Sequence, residues 1–113
     1  MATKNENETF TRISVDEAKA KVGGENVAFV DVRPPADWAG GHVPGAQNLP
    51  LISVRGRSRE IPEGAAVIFT CQTGDKAPQA AALATTLGFA DVSVLEGGID
   101  AWVKGGNPLE TIN

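Results

Sequence analysis

One cysteine, Cys71, and one histidine, His42, occur in 113 residues. A single thiol excludes an intrachain disulfide and leaves no resolving cysteine within the chain. With one Cys and one His, a structural zinc site would need several carboxylates to complete it, so no metal is expected. Positive charge is not in excess either: ten Lys+Arg against fourteen Asp+Glu give a formal net charge of −4. That balance disfavours general binding to nucleic acid or to an anionic membrane. No apolar run approaches the length of a membrane span, and the opening MATKNENET lacks the apolar core of a signal peptide. A cytoplasmic protein is expected. Any chemistry at Cys71 must draw its partner from outside the chain.

What is present is an ordinary globular composition, 42% hydrophobic and 21% charged, which argues against wholesale disorder. The length suits one domain. Residues 1–9 read as a mobile polar tail, 10–106 as the domain and 107–113 as a C-terminal tail. Phe10 to Ile13 reads as a short strand. Ser14-Val15-Asp16-Glu17 has the form of a capping box, so a helix should follow and stop near Gly23-Gly24. VAFVDV (27–32) and AAVIFT (65–70) are nearly unbroken β-branched and aromatic runs, as in strands buried on both faces of a parallel sheet. Ala36 to Gly40 reads as one helical turn, Gln47 to Leu51 as a short strand, and residues 55–60 as a charged connection or weak helix. A helix runs from the Cys71 loop to about Leu87. Ala80, Leu83, Ala84 and Leu87 form its apolar face, Pro78 lies in its first turn and Gly88 at its C-terminal cap. Val92 to Leu95 is a third core strand, and Gly97-Gly98 opens a final short helix. The alternation predicts a small α/β domain with a mostly parallel sheet of about five strands and helices on both faces.

In such sheets ligands gather at the carboxyl ends of the strands. Asp31-Val32-Arg33 and Cys71-Gln72-Thr73-Gly74-Asp75-Lys76 both follow core strands there. A thiolate is the nucleophilic form of cysteine. A cysteine between a strand and a helix N-terminus sees the positive end of the helix dipole, and a tight loop can turn its N–H groups inward as an anion nest. Gly74 permits a positive φ, Gln72 and Thr73 add polar donors, and Lys76 adds a cation. Asp75 opposes this and is expected to point outward. The sum favours a thiolate with an oxyanion bound above it.

Asp31-Val32-Arg33, followed by Trp38-Ala39-Gly40-Gly41-His42-Val43-Pro44-Gly45-Ala46-Gln47-Asn48-Leu49-Pro50, resembles the DVR…GHIPGAxNIP signature of rhodanese-like domains. Val67 to Lys76 resembles their active-site strand and C-x-x-G-x-[RK] loop. Val94-Leu95-Glu96-Gly97-Gly98-Ile99 with Ala101-Trp102 resembles their closing LxGGxxAW motif. The matches fall in family order over about residues 10–106. The resemblance implies a sulfurtransferase without a cofactor. Cys71 would take sulfur from a small anionic donor, thiosulfate or a persulfide, and pass it to cyanide or a thiol, an acceptor protein included. The N–H groups of residues 72–76 would cradle the persulfide and Lys76 would attract the donor. Asp31, Arg33 and His42 would be supporting residues, the first two orienting loops and His42 fixing its own loop. Two departures stand out: Pro34 replaces an acidic residue, and Lys76 replaces the commoner arginine, which removes bidentate anion contact but keeps the charge.

Two other readings compete. A rhodanese-like interaction module without catalysis would often lack the cysteine. A phosphatase or arsenate reductase would carry a longer loop ending in arginine at the position Ala77 occupies. Trp38 and Trp102 read as core aromatics. Arg55, Arg57 and Arg59 read as an exposed face, with a steering patch for an anionic donor or acidic partner as the lesser alternative.

Overall fold

A computed structural model describes residues 7–112. Its strands are β1 (Thr11–Ile13), β2 (Val27–Asp31), β3 (Gln47–Asn48), β4 (Ala66–Thr70) and β5 (Val92–Leu95). The helices are α1 (Val15–Lys19), α2 (Pro35–Gly40), α3 (Val54–Arg57), α4 (Ala77–Thr86) and α5 (Gly98–Lys104). Short 3-10 turns, Leu51–Ser53 and Ser58–Glu60, flank α3. The five strands form one sheet in the order β1-β5-β4-β2-β3, and every pairing is parallel.

The unbroken apolar runs now have a cause. Val30, Val67 and Phe69 bury into one core with Val54 of α3 and Ala77, Ala80, Ala81 and Ala84 of α4. Phe29 and Ile68, one residue out of step, bury into a second core with Ala18 of α1 and Ile99 and Trp102 of α5. Side chains alternate across a strand, so a strand covered on both faces is apolar along its length, and the polar residues of β2 and β4, Asp31 and Thr70, come only at the carboxyl ends.

Three local expectations shift. α1 ends at Lys19 rather than near Gly23, because Lys21, Val22 and Gly24 donate three residues back and tighten the chain into successive turns. The strand expected through Leu51 pairs only at Gln47 and Asn48, before Pro50 leads into a 3-10 turn. Leu87 is exposed, and the buried face of α4 is Ala77, Ala80, Ala81 and Ala84. Small side chains bring that helix close to the sheet. Gly88, at φ 102°, then closes the helix with Gly88 N–H on Thr85 O and Phe89 N–H on Ala84 O. Phe89, not Leu87, packs on the core.

Of the expected N-terminal tail, residues 1–6 lie outside the described residues. At the other end, Leu109 packs on the second core and Trp102 Nε1 donates to Pro108 O at 2.8 Å. Glu110 forms an antiparallel bridge with His42. No described helix is long and apolar enough to cross a membrane.

Candidate active site

β2 and β4 are neighbours in parallel register, with Asp31 opposite Thr70. That register brings Asp31-Val32-Arg33 and the loop from Cys71 to one edge of the sheet, and Val32 N–H bonds Thr70 O across it at 2.9 Å. The loop runs directly into the ten-residue helix α4.

Its shape follows from two close approaches to the start of α5. Gly74 has φ 91°, and a β-carbon there would lie 2.9 Å from Gly97 N. Cys71 O accepts from Ile99 N–H at 2.8 Å and Gln72 O from Asp100 N–H at 3.0 Å. The loop's first carbonyls are thereby bonded to α5. Two amides then reach the sulfur: Gly74 N–H and Ala77 N–H donate to Cys71 Sγ at 3.1 and 3.3 Å. Both stabilise negative charge on sulfur, and the second belongs to the first turn of α4, where the helix dipole is positive. Cys71 is buried, yet it lies on a cleft of about 280 Å³ bounded by Arg33, Pro34, Asp37, Gln72, Asp75 and Lys76.

Arg33 ties the two loops together. Its Nε and Nη2 donate to the buried Asp31 carboxylate at 2.8–3.2 Å. Nη2 also donates to Gly41 O at 2.6 Å, and Nη1 to Gln72 Oε1 at 3.0 Å. Gln72 Nε2 in turn donates to Asp100 Oδ1 at 2.6 Å. One side chain therefore bridges the β2 loop, the loop before His42 and the Cys71 loop.

His42 does not line the cleft. It is buried, stacks on Trp38 with ring centroids 4.3 Å apart, and shares Nδ1 with Trp38 O at 2.6 Å. Its Nε2 faces Glu110 Oε1 at 3.3 Å.

Asp75 is exposed, yet it lies beside the sulfur rather than clear of it: its Oδ1 is 4.0 Å from Cys71 Sγ and accepts from Thr73 Oγ1 at 2.9 Å. The Thr73 hydroxyl, chiefly, holds the Asp75 carboxyl below the ordinary carboxylate range. The amide set at the sulfur also differs from the expected 72–76 cradle, since Ala77 supplies one of the two donors. Sequence reasoning missed that amide, and it missed Asp37 and Asp100. Only the Ala77-Pro78 position at a helix start could have pointed to the amide.

With this geometry in view, similarity to known proteins is informative. The family model for the rhodanese-like domain matches residues 14–105. A protein of Allochromatium vinosum named sulfurtransferase is 39% identical over 85 residues, covering 75% of this chain and 79% of that one. Thiosulfate sulfurtransferase GlpE of Pseudomonas fluorescens is 33% identical over 93 residues, covering 82% and 84%. The solution structure of the rhodanese-like domain of the Alr3790 protein from Anabaena superposes with a TM-score of 0.80 at 27% identity, covering 89% of this chain and 79% of that one. The match spans β2, β4 and β5, the Cys71 loop and all of α5, and the chain belongs to the rhodanese-like domain family.

Proposed function

We propose that the protein is a sulfurtransferase that carries sulfur as a persulfide on Cys71. The observation that supports this most is the pair of amides donating to Sγ on an open cleft. A thiol serving only to fill the core has no need of two N–H donors. In the first half-reaction the Cys71 thiolate attacks the sulfane sulfur of thiosulfate or of a persulfide donor. A new S–S bond forms, the old bond to sulfane sulfur breaks, and its electron pair leaves with sulfite or the donor thiolate. In the second, cyanide or a thiolate attacks the outer sulfur and the electron pair returns to Cys71. Amides preorganised around the sulfur stabilise the anion at both stages without a general base. Gln72 to Lys76 frame the donor, Asp31 and Arg33 hold the loop, and His42 holds the neighbouring one. The reaction takes place in the cytoplasm, and an acceptor protein with a thiol is a candidate partner.

Intact-mass spectrometry under non-reducing conditions tests this. After incubation with thiosulfate, methanethiosulfonate or polysulfide, one sulfur atom should be added, and cyanide should remove it. Cys71→Ser should show no gain. An unchanged mass with every donor would overturn the proposal and leave the non-catalytic interaction module as the reading.

A further inference from the structure

The charged side chains on the cleft expected to receive an anion do not add up to a positive charge. Arg33 and Lys76 are the cationic residues on it, and the Arg33 guanidinium is committed to Asp31, Gly41 O and Gln72. With Arg33 neutralised against Asp31, the charges left on the cleft are those of Lys76, Asp37 and Asp75. They leave one net negative charge. The Asp75 carboxylate lies beside the nucleophile, 4.0 Å from Sγ, and the Thr73 hydroxyl anchors it there at 2.9 Å. The N–H groups of Asp75 and Lys76, expected to cradle the persulfide, favour the charge on this carboxylate. Lys76 is exposed, and its ammonium is a hydrated point charge on a flexible stem.

We infer that Asp75 sets the charge class of the sulfur donor: the site prefers a sulfane sulfur borne by a monoanionic group, a persulfide or thiosulfonate, over the thiosulfate dianion. This rests on the sulfur-transfer reading of Cys71. For reaction, the sulfane sulfur must come within bonding range of Sγ. Thiosulfate is so small that both of its charges then lie close to the Asp75 carboxylate. A persulfide brings one charge to the sulfur and leaves the rest of its body outside the cleft. Repulsion scales with donor charge, so one unit more is a rate penalty specific to the dianion.

Thiosulfate and methanethiosulfonate separate the two cases. Each offers a terminal sulfur on a sulfonyl centre, and they differ by one negative charge. In each, the Cys71 thiolate takes the sulfane sulfur while sulfite or methanesulfinate departs with the electron pair. The readout is the ratio of kcat/KM for thiosulfate to that for methanethiosulfonate, with cyanide as acceptor. Loop damage that slows both donors equally cancels in this ratio. Asp75→Asn should raise it about three- to tenfold, the effect of removing one unit charge several ångströms away at a partly solvated site. Thr73→Val, which releases the carboxylate, should raise it by less, and Lys76→Gln should lower it. An unchanged ratio in Asp75→Asn, or shifts of the same sign in Asp75→Asn and Lys76→Gln, would overturn the inference while sulfur transfer stood. If the unsubstituted protein turned over neither donor, the sulfur-transfer reading would fail and this one with it.

Discussion

A β-carbon built on Gly98 would lie 2.3 Å from the carbonyl oxygen of Cys71. No side chain fits in that gap, and Gly98 also has φ 62°, in the left-handed region. The contact is so close because the next residue, Ile99, donates its N–H to that carbonyl. Gly98→Ala is therefore expected to destabilise the protein by roughly 2–4 kcal/mol, from backbone strain and overpacking together. It should also displace the Cys71 loop and slow persulfide formation. Gly56→Ala is the contrasting case. Gly56 is helical, has no positive φ, and a β-carbon there would meet nothing within 4 Å, so stability should hold or rise by up to about 1 kcal/mol. Urea unfolding of both variants tests the pair.

The core is legible in the sequence because two-faced burial leaves a run without polar residues, as in Val27 to Val30 and Ala65 to Phe69. The place of Cys71 after such a run, before a helix, is legible for the same reason. The direction of the Asp75 side chain is not. It depends on the Thr73 hydroxyl two residues away and on the backbone path through Gly74, and residue type encodes neither. The Ala77 donor is a backbone N–H, identical in every residue but proline. Leu87 falls outside the buried face because periodicity counts apolar positions and ignores size. A helix set close to the sheet by alanines buries those alanines and leaves a leucine at its end outside.

Thr70, the last residue of β4, is fully buried, and its Oγ1 has no hydrogen-bond partner among the described residues. A buried hydroxyl without a partner costs desolvation and returns nothing. Thr70→Val keeps the branched shape and removes that oxygen, so it should stabilise the protein by about 1 kcal/mol. A valine variant that unfolds at lower urea than the parent would show that the hydroxyl has a partner, such as a bound water.

Arg33 is the only cation bonded to the fully buried Asp31 among the described residues. Removing one member of such a pair strands the other charge in the interior. Arg33→Met should therefore cost about 3–5 kcal/mol at neutral pH. Adding Asp31→Asn should recover part of the loss, since the uncompensated carboxylate is then gone. The Gln72 anchor stays missing in both variants, so persulfide formation should remain slow even where stability returns. A double-mutant cycle in urea, with donor turnover measured alongside, separates these two effects.

The start of α1 gives a pH-dependent prediction whose sign is determined. Ser14 Oγ accepts from Glu17 N–H at 3.1 Å, and Glu17 Oε1 accepts from Ser14 N–H at 3.1 Å. Ser14→Ala should cost about 1 kcal/mol, the usual value for losing an N-cap. Glu17 adds a component that titrates. The Ser14 backbone N–H, foremost, holds its carboxyl below the ordinary value of 4.5. The unfolded chain thus takes up this proton at higher pH than the folded one. The stabilisation is fully present above the ordinary value and is lost as pH falls through the lower, folded one. Glu17→Gln should be less stable than the parent at neutral pH, and the gap should narrow on acidification until Glu17 is protonated in both states. A gap of constant size from neutral to acidic pH, read from urea midpoints, would show that this carboxylate is not bound by the Ser14 amide.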